Sequence, residues 1–245
     1  ILVLVRVSAI ILTAPVFGSS STPPQIKVVL SLVLALILYP FVPSFAVFPD
    51  RPDHYILLVA SEILIGVVLG IIGRFLFAAV EFAGTVIGFQ MGLAMANVLD
   101  PQSQEQVSLV GRFESTTATL IFLAMDGHLI FIQAMVRSYK ILPPGGANIN
   151  QPLVDKLTEL SASVFVIGLQ IGAPLIVALF LANAVIGLLA RSVPQIQIFI
   201  VGFPLTIMLG LLFMLFGMPF FAQAVHKMFE MLDTQIFDAL KLLGG

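Results

Sequence analysis

The runs of residues without a charge decide what this chain can fold into. Residues 160–190 hold no Asp, Glu, Lys or Arg, and neither do residues 192–226. Residues 28–49 form a third such run. As a helix that third run spans about 33 Å, enough to cross a hydrocarbon core of roughly 30 Å. No stretch shows the alternation of a half-buried strand. The expected fold is all-α: a polytopic membrane-type protein with long bent helices and helical hairpins.

Composition narrows the function classes. Of 245 residues, 59% are hydrophobic and 10% charged. An ordinary soluble domain carries about 25% charged residues, which it needs to cover its surface. Soluble enzymes and disordered tails are excluded on that ground. With 11 basic and 13 acidic residues the net charge is −2, which gives no footprint for nucleic acid. Cysteine is absent, so disulfides, thiolate metal sites and Cys nucleophiles are excluded. Residues 1–17 are apolar except for Arg6, Ser8 and Thr13, the wrong layout for a signal peptide. No initiator Met is present, and further residues ahead of Ile1 are expected.

Six or seven long helices are expected. The run from residue 55 to 99 carries only Glu62, Arg74 and Glu81 and ends at Asp100-Pro101. A single helix of that length would reach about 68 Å, so two helices or one sharply bent helix are expected there. Residues 115–136 are apolar but split by Asp126-Gly127-His128, read as a polar turn. Pro143-Pro144-Gly145-Gly146 is a strong loop signal. In the tail, Val225, Phe229, Leu232, Ile236 and Leu240 recur at three- and four-residue steps. That pattern predicts a surface helix, packed on the protein, lying on the membrane or docking a partner.

Three kinds of feature stand out. Gly84, Gly88, Gly92 and Ala96 are spaced by four, as are Gly66 with Gly70 and Gly168 with Gly172. Such faces let backbones approach closely, within one chain or between subunits. Pro174, Pro194, Pro204 and Pro219 interrupt apolar runs and tend to kink helices. Arg6, Glu62, Arg74, Glu81, Asp126, His128 and Arg191 interrupt or border apolar runs and should face protein or water. Arg74 and Glu81, two turns apart, are placed to share partners. The three His are far apart in the chain, and no metal helix, P-loop or nucleophile elbow is present. No catalytic residue, metal or cofactor is expected.

Six segments in order resemble the FliR family of bacterial flagellar export-gate proteins. The first is Arg6-Val-Ser-Ala-Ile-Ile-Leu-Thr-Ala-Pro-Val-Phe-Gly18, with Pro24-Gln-Ile-Lys27 and Pro40. The next are Gly88-Phe-Gln-Met-Gly-Leu-Ala-Met95 with Asp100-Pro101, Met125-Asp-Gly-His-Leu129 and Leu142-Pro-Pro-Gly145. Asn183 to Gly187-Leu-Leu-Ala-Arg191, and Pro194-Gln195 with Phe199-Ile-Val-Gly-Phe-Pro204, complete the set. Two departures are the family's missing first residues and an individual sequence at 102–107.

The resemblance implies a structural pore subunit of the flagellar export gate, in the basal body at the bacterial inner membrane, and no enzyme. Its implied partners are FliP-like and FliQ-like gate subunits, an FlhB-like switch protein, unfolded secretion substrates and membrane lipid. The implied complex stands largely above the membrane plane, so apolar helices can face partner helices as well as lipid. Residues 1–155 would be a FliP-like helical part and residues 156–245 a FliQ-like hairpin with an amphipathic C-terminal helix. The pore plug would comprise Met91, Met95, Asn97, Asp100, Pro101, Gln102, Ser103, Gln104 and Gln106. Gly84, Gly88 and Gly92 would pack against partners. Arg191, Ser192, Pro194 and Gln195 would form a base turn near the FlhB-like protein. The rival readings are a stand-alone secondary transporter or channel, which should show two related halves not seen here, and an intramembrane enzyme.

Overall fold

A computed structural model describes residues 1–19, 22–42, 52–93, 108–192 and 198–244. Among these the helices are α1 (Leu2–Thr13), α2 (Pro24–Leu38), α3 (Pro52–Gln90) and α4 (Leu109–Ala124). They continue as α5 (Gly127–Ile141), α6 (Gln151–Ser192), α7 (Ile198–Glu230) and α8 (Leu232–Gly244). No strand occurs among the described residues. The helix starts carry local signals. Pro24 opens α2 at a position where its missing N–H costs nothing. Asn150 Oδ1 accepts the Leu153 N–H at 3.0 Å, capping α6.

Within residues 55–93, the described part of the 55–99 run, no second helix begins and α3 is unbroken as far as Gln90. α3 runs 39 residues, about 58 Å, without interruption. No proline lies inside it beyond its first residue, so nothing withdraws a backbone donor there. The sharp bend lies instead between α4 and α5, at 65°. Asp126 turns the chain there with φ 57°, a left-handed conformation that Asp tolerates better than most residues. Pro144 and Gly145 turn the chain after α5. Gly146 N donates to Pro143 O at 2.9 Å and Gly145 has φ +83°, the pattern of a type II turn.

The helices group into two units. One comprises Ile1–Leu76, Phe122–Ala162 and Met228–Gly245, the other Phe77–Ile121 and Ser163–Lys227. In the first, α1 lies against α3 through small residues. A Cβ built on Gly66 would come 2.5 Å from Ala9 Cβ, and one on Gly70 would collide with Thr13. Phe122 packs edge-on against Phe131 and Phe229, with centroids 6.2 and 5.0 Å away. The amphipathic tail lays its apolar face on protein: Phe229, Leu232, Ile236, Leu240 and Leu243 are buried. Arg137 holds Asp233 at 3.0 Å, and Asn150 Nδ2 donates to Leu242 O at 2.7 Å, serving a carbonyl that the end of α8 leaves free.

In the second unit, Ile87, Met91, Val110, Leu175 and Leu179 form the buried centre. Phe82 meets Phe165 edge-on at 5.2 Å, and Gly168 lets α6 close on the Ala79 carbonyl.

The outside of this fold is apolar. Leu36, Phe180, Leu188, Leu215 and Phe216 are all more than half exposed. Four described helical stretches are long and apolar enough to cross a membrane, and the bent α4–α5 pair makes a fifth. Apolar surface on that scale is covered by lipid or by other chains.

Candidate functional site

The plug, glycine-face and base-turn residues meet the described structure at two places. The first is a clasp in the second unit, where α3 ends and α4 begins. α3 stops in a Schellman arrangement: Leu93 N donates to Gly88 O at 3.1 Å and Gly92 N to Phe89 O at 3.0 Å. Gly92 supplies the φ of +82° that this stop requires. Gly92 therefore belongs to the turn and not to the helix face on which its spacing put it. A Cβ on it would strike the Phe203 ring.

α4 starts with Ser108. Its Oγ accepts the Gly111 N–H at 3.2 Å, the N-cap bond, and donates to Gly84 O at 3.3 Å. One hydroxyl thus caps α4 and ties it to α3. The glycines make that contact possible. A Cβ built on Gly84 would lie 2.5 Å from Gly111 Cα, and one on Gly88 would lie 2.7 Å from Ser108 Oγ. Replacing Ser108 with Ala removes the cap and the tie together. The expected loss is about 0.5–2 kcal/mol of stability, read as a lower thermal midpoint in mild detergent and faster hydrogen exchange in the first turn of α4.

Met91 lies beside the clasp and is fully buried. The Thr206 hydroxyl donates to its carbonyl at 3.0 Å, and its side chain fills the space that Gly210 leaves open. Asn183 Nδ2 donates to Gln90 O at 2.9 Å. Met91, Gly84, Gly88, Gly92 and Ser108 are therefore brought together. Met95, Asn97, Asp100, Pro101, Gln102, Ser103, Gln104 and Gln106 lie outside the described residues.

The second place is the end of α6. Arg191 and Ser192 are exposed, and Ser192 Oγ donates back to Leu188 O at 3.1 Å. Pro194 and Gln195 lie outside the described residues.

The charged residues of the apolar runs separate by environment. Arg6 and Glu62 are both 0% exposed and face each other. Arg6 Nε and Nη2 donate to Glu62 at 2.7 and 2.8 Å, a two-pronged pair. The remaining N–H groups reach Ser138 Oγ at 3.1 Å and Leu142 O at 3.2 and 3.3 Å. The Tyr139 ring lies 4.0 Å below the guanidinium. Arg74, Glu81 and Asp126 are exposed. Sequence reasoning missed Glu114, which is 4% exposed. The available signal was its four-residue register with Val110, Ala118 and Phe122, all buried on one face of α4. Among the described residues no cluster of three or more His, Asp or Glu could hold a metal. At the clasp the hydrogen bonds fix two helix ends and hold them together.

Long apolar helices, an apolar exterior and the buried Arg6–Glu62 pair define a polytopic all-α membrane protein. A sequence model of the bacterial export proteins, family 1, matches residues 1–232. The chain is 36% identical to flagellar biosynthetic protein FliR of Escherichia coli (strain K12), over 98% of this chain and 92% of the relative. It is 32% identical to the protein of that name from Bacillus subtilis (strain 168), over 100% of this chain and 95% of the relative. The relative in Pectobacterium carotovorum subsp. carotovorum is 34% identical over 96% and 88%. The chain belongs to the bacterial export proteins, family 1, and is a membrane component of the flagellar export apparatus.

Proposed function

We propose that the chain is a structural pore subunit of the flagellar protein export gate in the bacterial inner membrane. It assembles there with FliP-like and FliQ-like subunits, meets an FlhB-like switch protein at the base turn around Arg191 and Ser192, and helps to pass unfolded substrates. Residues 1–155 act as the FliP-like part and residues 156–245 as the FliQ-like hairpin. The segment running from Met91 through Asn97, Asp100 and Gln104 to Ser108 closes the pore at rest.

The observation that carries this reading is the clasp. Residues 94–107 are joined to the protein at two helix ends that are themselves fastened together, through Ser108 Oγ on Gly84 O. A plug must be held firmly at its base while its body yields. The sequence between those ends carries Asn97, Asp100, Gln102, Ser103, Gln104 and Gln106, polar side chains that lipid does not accommodate and that need protein or water around them. A channel wide enough for an unfolded chain leaks ions unless something fills it.

Deleting residues 97–104 is expected to leave the clasp and the assembled complex in place but to raise its conductance for small ions. Reconstitution of the purified complex in planar bilayers measures this. Unchanged conductance in an assembled deletion mutant overturns the plug.

A further inference from the structure

α1 and α2 border a groove within the first unit, with a volume of about 460 Å³. Leu4 and Leu12 of α1 and Val28 and Leu32 of α2 make its apolar walls. Leu12 and Val28 are more than half exposed, so the groove opens to whatever surrounds the protein. Its two serines offer no donor to an occupant. Ser8 Oγ donates to Val5 O at 2.9 Å and Ser31 Oγ to Lys27 O at 2.7 Å, so each hydroxyl hydrogen is used within its own helix.

Charge sits at one end only. Lys27 lines the groove from the first turn of α2, and it is the single charged residue between Arg6 and Asp50. Its Nζ donates to Gly18 O at 3.1 Å, which draws the ammonium toward the polar connection Gly18-Ser-Ser-Ser-Thr22. An ammonium has three donors, so this bond does not exhaust it. A cation in the first turn works against the helix dipole, and an anion bound beside it relieves that conflict. The lining stretch of each helix, Leu4 to Leu12 and Pro24 to Leu32, spans about 12 Å. That is the scale of one leaflet, half of a hydrocarbon core of roughly 30 Å. A partner helix crossing the membrane would run over the whole core and needs no cation at one end. An anionic amphiphile needs both parts, a cation for its head and short apolar walls for its chain.

We propose that the α1–α2 groove binds one anionic phospholipid, with its phosphate on Lys27 and an acyl chain along Leu12, Val28, Leu4 and Leu32. Such a site requires only that the chain is a membrane protein, and it stands or falls apart from the pore reading.

The chain has no tryptophan, so Val28→Trp places a single fluorophore at the groove. The full chain is reconstituted in vesicles of equal parts phosphatidylglycerol and phosphatidylcholine, with bromine on the acyl chains of one lipid or the other. Bromine quenches the indole at contact. Quenching at Val28→Trp should report about a fivefold preference for phosphatidylglycerol, the weight of one Lys near a membrane surface. Leu36→Trp, on the same helix and 66% exposed but outside the groove, should show no preference. Lys27→Gln should abolish the preference at Val28→Trp, and Lys27→Arg should keep it. Equal quenching by the two lipids at Val28→Trp with Lys27 in place overturns the site, as does the same preference at Leu36→Trp. In cells that express the other export-apparatus membrane proteins, the photoreactive p-benzoylphenylalanine at Val28 should be recovered attached to phospholipid. Attachment to another protein chain would show that a subunit covers the groove, and overturns the lipid.

Discussion

Replacing Glu62 with Ala should destabilise the protein by about 3–5 kcal/mol, because it strands the Arg6 guanidinium in a site with no access to water. Both side chains are 0% exposed. Ser138 and Leu142 satisfy only part of the guanidinium and cannot neutralise it. The pair ties α1 to α3 across 56 residues of sequence, and its hydrogen bonds extend to the end of α5. The thermal midpoint in mild detergent should therefore fall steeply, and yield with it. Replacing both members, Arg6→Met with Glu62→Leu, should recover most of the loss, since a buried pair exchanged for apolar side chains of similar volume is often neutral. A single Glu62→Ala that melts at the native temperature contradicts the lock.

Gly84→Leu should be the most damaging change at the clasp. The new Cβ would meet Gly111 Cα at 2.5 Å, which is backbone and cannot swing aside. Overpacking of this kind is unfavourable by about 1–3 kcal/mol, and here α3 and α4 must separate at the point where Ser108 joins them. Gly88→Ala is the milder comparison. Its Cβ meets Ser108 Oγ at 2.7 Å, a side-chain atom that can turn away at the expense of its bond to Gly84 O. Gly187→Ala is the neutral control, with nothing within 4 Å of its Cβ. The expected order of thermal midpoints is Gly187→Ala, then Gly88→Ala, then Gly84→Leu. A Gly84→Leu chain as stable as the control shows that the close approach is incidental.

Local patterns made part of this fold legible. The amphipathic register of Val225, Phe229, Leu232, Ile236 and Leu240 left open whether that face meets protein, membrane or a partner, and all five are buried within the protein. Pro143-Pro144-Gly145-Gly146 carried its own turn chemistry. Arg6 and Glu62 were each conspicuous in apolar surroundings, but their pairing was invisible, because 56 residues separate them and no local spacing encodes it. Gly92 shows a different limit. A glycine four residues after Gly88 reads equally well as a packing face or as a helix stop, and only the observed φ of +82° decides. Glu114 was overlooked because it follows a polar segment, where an acid draws no attention. Its register with Val110 and Ala118 placed it inside.

The mass of the complex that this chain forms tests the gate assignment most directly. The full chain, co-expressed with the other export-apparatus membrane proteins, is solubilised in mild detergent and weighed by native mass spectrometry. The predicted result is a large hetero-oligomer containing FliP-like and FliQ-like subunits. Recovery of the chain only as a monomer or homodimer, under conditions where those subunits are present and folded, would contradict the assignment.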